Sequence, residues 1–336
     1  MPTNRLWFPF LLLLLSSIAL VVSCKQSTNT PIVTPVEEVA EVDVEPHFAP
    51  DTSTIPNDEF GDLVRYGRKL ILNTAYYIGP EGTEGKYLGN KMNCTNCHLD
   101  AGTRPYGFNF LSTHGRYPQY RSREDRILTL AERVNNCIER PHNGRPMPLD
   151  SKEMVSIVCY IKWLGAGVPV NGNVEGDKGL ELKLPDYPLD VNHGKVVYQN
   201  ECVRCHGANG EGKFLANNVT YEYPPLWGKL SYQPGSSLFR IIKAAQFIKA
   251  NMPYDKATWK KTVLSDRDAF DVAAYINSEQ HERPKKTGVD YPSIEKKAID
   301  YPFGPYNDHF SETQHKYGPY QPIIDYRKKK GLYVNY

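Results

Sequence analysis

The sequence predicts a mainly α chain built as two tandem helical domains, and three observations carry that prediction. A C-x-x-C-H pentad occurs twice, as Cys94-Thr95-Asn96-Cys97-His98 and as Cys202-Val203-Arg204-Cys205-His206. Each pentad is followed at a distance by a helical segment with the same ending, Val158-Cys159-Tyr160-Ile161 in the first half and Ala273-Ala274-Tyr275-Ile276 in the second. With Gly 25, Pro 26 and Tyr 23 among 336 residues, loops and turns fill most of what the helices leave.

C-x-x-C-H is the attachment signature of haem c. The two thiols bond the vinyl groups and the adjacent His ligates iron. A zinc site or a redox disulfide is the alternative, but zinc ribbons rarely carry His directly after the second Cys. The expectation is therefore two covalently bound haem c groups, attached at Cys94 and Cys97 and at Cys202 and Cys205, with His98 and His206 as iron ligands. The fold class follows: two tandem cytochrome c domains joined by a linker, with an extended C-terminal wrap.

Formal net charge is +2 and no Lys/Arg run stands out, so no nucleic-acid partner is expected. The N-terminus predicts export. Arg5 precedes an apolar run from Leu6 to Val22, and Val21-Val22-Ser23-Cys24 reads as a lipoprotein cleavage box. Residues 1–23 would be the signal peptide, and lipid on Cys24 would hold the mature chain on the periplasmic side of a bacterial membrane. Lys25 lacks the acidic character of an inner-membrane retention signal, which favours the outer membrane. Residues 24–57 alternate Pro and acids, a composition unable to bury a core and read as a tether.

The first domain is placed at 58–168. A helix is expected over Glu59–Tyr77, with Leu63, Tyr66, Leu70 and Ile71 on one face and Gly67 allowing a close helix crossing. Ser122 is read as the cap of a helix from Arg123 to Cys137, and Ser151 as the cap of one running to about Trp163. A linker over 169–188 leads to the second domain, 189–281. Its helices are expected after Val191, from Ser236 or Ser237 to Ala250, and from Ser265 to Ile276. Residues 282–336 carry no further haem motif and are read as a wrap over both domains.

The internal repeat indicates what holds the other face of each iron. Met252, before Pro253, precedes the shared Tyr275 by 23 residues, and Cys137 precedes Tyr160 by 23. Met252 stands where a cytochrome c places its axial Met, so Cys137 takes the equivalent place in the first domain. Met147 is the rival, but it is only 13 residues from Tyr160. His114 and His142 are read as loop or surface histidines, and Cys159, aligned with Ala274, as a small buried residue. A thiolate donates charge to ferric iron and lowers its potential, whereas Met with His raises it. Electrons would thus flow from the first haem to the second. From Arg104 to Arg145 there are eight Arg, no Lys and four acids. Fixed guanidinium forks suit oxyanions, and their clustering before Cys137 points to an anionic substrate.

These stretches resemble the thiosulfate dehydrogenases, periplasmic dihaem cytochromes c. The resemblance rests on Asn93-Cys94-Thr95-Asn96-Cys97-His98-Leu99-Asp100-Ala101-Gly102, Tyr117-Pro118-Gln119-Tyr120-Arg121-Ser122-Arg123 and Leu130-Ala131-Glu132-Arg133-Val134-Asn135-Asn136-Cys137. Asn143-Gly144-Arg145-Pro146 and Asp300-Tyr301-Pro302-Phe303-Gly304-Pro305-Tyr306 extend it. It implies coupling of two thiosulfates to tetrathionate, or the reverse, with a small c-type cytochrome as electron partner. It also implies His98/Cys137 and His206/Met252 ligation, with Arg123 and Arg133 lining the substrate site and Arg121 and Arg126 nearby. In the family picture the Cys sulfur leaves iron and carries an S–S adduct of the substrate. Some relatives place a Lys beside the axial Met, where this chain has Asn251. A membrane-tethered dihaem carrier, needing no substrate site, is the alternative, and a dihaem peroxidase-like enzyme a third reading.

Overall fold

The computed structural model describes residues 49–336 except residue 217. The signal peptide, Cys24 and most of the tether lie outside the described residues. No helix among those described is long and apolar enough to cross a membrane.

In the first domain, α1 (Glu59–Leu72) and α5 (Lys152–Leu164) cross. Both carry an apolar stripe. Val64, Leu70 and Ile71 meet Met154, Ile157, Tyr160 and Ile161 in one buried cluster. Each such side chain contributes about 1.5–3 kcal/mol by leaving water. The crossing needs Gly67, where a Cβ would lie 2.0 Å from the Ser156 carbonyl oxygen. Asp58 and Ser151 cap the two helices, each side chain accepting a backbone N–H.

The second domain repeats the device. α6 (Val191–Glu201) crosses α9 (Asp266–Ile276), and a Cβ on Gly194 would lie 1.9 Å from the Asp271 carbonyl oxygen. α7 (Val203–His206) carries the second pentad, and α8 (Ile241–Asn251) ends just before Met252. A 3-10 turn at Ser237–Phe239 separates Ser236 from α8, so the helix starts at Ile241 and neither serine caps it. Ser265 does cap α9, in a capping box with Asp268. Two antiparallel pairs, β1 (Gln119–Arg121) with β2 (Arg126–Leu128) and β3 (Lys213–Phe214) with β4 (Tyr221–Tyr223), are the sheets among the described residues.

Three further expectations are corrected. The first helix ends at Leu72, and α2 (Thr74–Ile78) starts after a break at Asn73, leaving the Thr74 hydroxyl to accept the Cys94 N–H at 2.9 Å. No helix runs from Arg123 to Cys137. Residues 119–128 form a hairpin turning at Asp125, which takes φ 54, and α4 (Leu130–Glu139) begins only at the reciprocal Thr129–Glu132 capping box. The C-terminal segment is not simply extended, since it contains α10 (Glu312–Tyr317) and α11 (Gln321–Lys329). Tyr320 and Ile323 pack with Ile241, Phe270 and Ala274 of the second domain. Arg327, fully buried, donates from Nε to Asp308 at 2.7 Å, and His315 Nε2 meets the other oxygen of that carboxylate at 2.9 Å.

Candidate active site and haem centres

The first pentad is fixed on both sides. Cys94–Asn96 form a 3-10 turn, and the Asn93 side chain accepts the Ala75 N–H at 2.9 Å. Beyond His98 a short segment, α3 (Leu99–Gly102), turns through positive φ at Asp100 and Ala101, and Tyr160 donates its hydroxyl to the Ala101 carbonyl at 3.0 Å. The repeated tyrosine therefore ties the last helix of the domain to the pentad. In the second domain the corresponding tie comes from the first helix, where Tyr198 of α6 donates to the Gly207 carbonyl, 2.7 Å away, just after the second pentad.

Each pentad histidine has one nitrogen committed to a backbone carbonyl. His98 Nδ1 lies 2.5 Å from the Phe108 oxygen, and His206 Nδ1 lies 2.9 Å from the Pro224 oxygen. A carbonyl can only accept, so Nδ1 carries the proton and Nε2 keeps its lone pair, the tautomer a metal needs. Burial lowers the pKa of His206, which keeps its ring neutral. All four pentad cysteines are free. Both centres fit a covalent haem on donor chemistry alone.

Cys137 lies on the α4 face that looks at His98, within hydrogen-bond reach of its ring. With Nδ1 committed, the nitrogen facing the sulfur is Nε2. Burial pushes the Cys137 thiol up. Arg133 is the first of the neighbours that outweigh this and bring it down to about 6. Cys94 and Cys97 are driven by burial to about 11 and about 12, so Cys137 alone in this group is poised as a thiolate.

The arginines divide sharply. The Arg133 guanidinium is supported first by Cys137 and donates to the Tyr117 hydroxyl. Arg121 has only Gln119 Oε1 as a partner, at 3.3 Å, and burial together with Arg133 lowers its pKa. Neither forms a salt bridge with a carboxylate among the described residues, and Glu124 acts on both only as a nearby charge. Arg123 donates to the Gly235 carbonyl at 2.9 Å from the hairpin turn. Arg126 stands apart, exposed and paired with Glu132 at 2.7 Å.

Met252 caps the end of α8, its N–H donating to the Ile248 carbonyl at 2.8 Å. The neighbouring Asn251 is buried and donates from Nδ2 to the Tyr106 carbonyl of the first domain at 3.0 Å. Phe108, whose carbonyl holds His98, stacks on Phe247 of α8 at 5.1 Å. The segment 106–108 thus touches both centres. Met147 is buried in the first core, its backbone held both ways by the Asn135 amide at 2.9 Å. His142 is not a surface histidine: it is buried, with Nε2 4.0 Å from Cys94 Sγ, and burial lowers it to about 4. Cys159 is half-buried against the same core, and His114 is half-buried in a 3-10 turn.

Sequence reasoning missed Tyr117, Glu124, Arg140 and Asp290. Arg140 is buried and shared by two acids, with Nη2 2.7 Å from Asp290 and 3.3 Å from Glu124. Glu124 also accepts from Asn136, the residue before Cys137, at 3.0 Å.

Two pentads, each with a tautomer-locked histidine, define a dihaem c-type cytochrome. Residues 84–170 match the family model "SoxA/TsdA, cytochrome c domain", and residues 191–280 match "Cytochrome c". The thiosulfate dehydrogenase of Stutzerimonas stutzeri is 36% identical over 252 residues, covering 75% of this chain and 78% of that protein. That of Allochromatium vinosum is 35% identical, covering 70% and 83%. The solved thiosulfate dehydrogenase (TsdBA) of Marichromatium purpuratum, in its "as isolated" form, aligns with TM-score 0.64 at 31% identity. It covers 70% of this chain, which spans about half the length of that one, at 49%. The chain belongs to the thiosulfate dehydrogenase family and carries two covalently bound haem c groups in two tandem cytochrome c domains.

Proposed function

We propose that the chain oxidises two thiosulfates to tetrathionate at the first centre, where His98 and Cys137 hold the iron, and passes electrons to the second, held by His206 and Met252. The carrying observation is the thiolate of Cys137 beside Arg133, with Arg121 next to Arg133 and no carboxylate in salt-bridge contact with either cation. When bound, the haems take up electrons singly.

The protein's own part is nucleophile and anion clamp. The Cys137 thiolate bonds the terminal sulfur of one thiosulfate, giving Cys–S–S–SO3⁻ and releasing two electrons. The terminal sulfur of a second thiosulfate attacks the outer sulfur of that bond, expelling Cys137 as thiolate and forming tetrathionate. No proton is transferred, which agrees with a site of cations rather than acids and bases. Arg121 and Arg133 hold the sulfonate oxygens and offset the repulsion of each thiosulfate dianion from the thiolate and then from the anionic adduct.

The sequence supports a place for this reaction: the apolar run before Cys24 exports the chain, and lipid there tethers it on the periplasmic side, in the outer membrane on the character of Lys25. A small c-type cytochrome takes the electrons. Replacing Cys137 by Met tests the assignment. Both haems are expected to remain bound while thiosulfate-dependent reduction falls by about 10³ or more, the scale for losing a nucleophile, and the thiolate character of the ferric spectrum disappears. Survival of that reduction would leave a tethered electron carrier as the better reading.

A further inference from the structure

The C-terminal segment returns to the first centre. After α9, Thr287 donates its N–H to Gln233 Oε1 at 2.8 Å, and Gln233 Nε2 donates to the Glu139 carbonyl on α4 at 2.9 Å. Three residues on, the fully buried Asp290 carboxylate accepts from Arg140 through Nη2 at 2.7 Å and Nε at 3.2 Å. Its other oxygen accepts the Tyr301 hydroxyl at 2.8 Å and lies 3.6 Å from Lys286 Nζ. The next residue, Tyr291, sits at φ 57 and donates its N–H to the Arg123 carbonyl at 2.7 Å. A bulky residue at positive φ costs energy, and tertiary contacts must hold it there. Ser293 and Lys296 then bind Asp125 at the hairpin turn.

The segment therefore grips both pieces that frame Cys137, the hairpin with Arg121 and Arg123 and the end of α4 with Arg140. Arg140 reaches Glu124, which reaches Asn136. Glu124 Oε2 is buried with no hydrogen-bond partner. A carboxylate with a free buried oxygen beside Arg121 and Arg133 would compete with an anionic substrate unless something held it back. Arg140 does so, and its own orientation is set by Asp290.

We propose that Asp290 is a positioning residue for the anion site of the first domain, fixing Arg140 so that Glu124 leaves Arg121 and Arg133 free for thiosulfate. This rests on the reading of that site as the thiosulfate site. It assigns to residues 287–301 the task of closing one wall of the active centre.

Charge and position predict opposite signs here, which makes the test sharp. Removing one negative charge near the site would by itself tighten anion binding. Losing the position of Arg140 and Glu124 weakens it. For the Asp290→Asn holoenzyme the expected result is a rise of about tenfold or more in the KM for thiosulfate. The kcat should stay within about threefold, with haem content and ferric spectrum unchanged, and Asp290→Glu should restore most of the KM. Tyr301→Phe, which removes one hydroxyl from Asp290, serves if Asp290→Asn does not fold, with a smaller rise in KM. An unchanged or lowered KM overturns the proposal. If the wild type reduces no haem with thiosulfate, the functional reading fails separately, and calorimetric titration with sulfate decides. Asp290→Asn must then weaken sulfate binding, and absent or unweakened binding overturns the proposal.

Discussion

The two haem domains are built alike and differ at one face. In both, a glycine lets the outer helices touch, a tyrosine ties the last helix or the first to the pentad, and a carbonyl fixes the tautomer of the histidine. Opposite that histidine they part. The cation nearest Met252 in sequence, Lys249, is spent on Asp266 at 2.8 Å and on the Leu264 carbonyl at 2.7 Å. Arg133, beside Cys137, and Arg121, beside Arg133, form no salt bridge with a carboxylate among the described residues. Around the second centre the chain arranges instead an aromatic wall, with Trp227 stacked on His281 at 3.9 Å and 4.9 Å from Tyr198. Under the proposed function, one scaffold serves as an electron relay where its nearby cation is paired and as a reaction site where its arginines are not.

The largest effect should come from breaking what the domains share. Gly67→Ala puts a methyl group 2.0 Å from Ser156 O, and Gly194→Ala one 1.9 Å from Asp271 O. Overpacking against rigid backbone costs about 1–3 kcal/mol or more. Each variant is expected to unfold its own domain first, read as selective loss of the corresponding haem spectrum on heating. Unfolding of both domains together in either variant would show that the contacts between them, such as Asn93 Nδ2 to Thr220 Oγ1 at 2.5 Å, make one cooperative unit.

Next comes the difference itself. A charge-assisted hydrogen bond contributes about 1.5–3 kcal/mol, so Arg133→Ala should lower kcat/KM for thiosulfate about 10- to 150-fold. Arg133→Lys should recover only part, because an ammonium lacks the planar fork. Lys249→Ala in the second domain should leave the KM for thiosulfate where it was. Steady-state kinetics on the three variants checks the contrast, and equal losses from Arg133→Ala and Lys249→Ala would remove it.

What could be read from sequence was local or periodic. The pentads, the glycine-bearing first helices, the capped α5 and α9 and the interval of 23 residues all lie within one stretch or repeat across two. The hairpin at 119–128 was missed although Thr129-x-x-Glu132 already marked a better helix start than Ser122. The partners that orient the site could not be found that way. Phe108 acts on His98 through a backbone carbonyl, which any residue type supplies. Arg140 and Asp290 are 150 residues apart and follow no period. Composition located the cluster of arginines, but only folding separates Arg126, neutralised by Glu132, from Arg121 and Arg133.

The smallest expected effect is on stability, and it separates the C-terminal segment from the second domain it leaves. Burial raises Asp290, but Arg123, Arg140 and Tyr301 more than reverse this, so its pKa lies below the ordinary carboxylate value. A group depressed in the folded state stabilises it above the unfolded pKa, about 3.9 for Asp, and loses that contribution as pH falls through the folded value. Wild type should therefore resist urea better than Asp290→Asn at pH 7, with the gap narrowing progressively below about pH 4. Because the grip is on the hairpin and α4, the change should appear in unfolding followed at the first haem and be weaker at the second. A gap that held constant down to low pH would mean that Asp290 contributes through packing rather than charge, since only the ionised carboxylate can hold Arg140 in a charge-assisted pair.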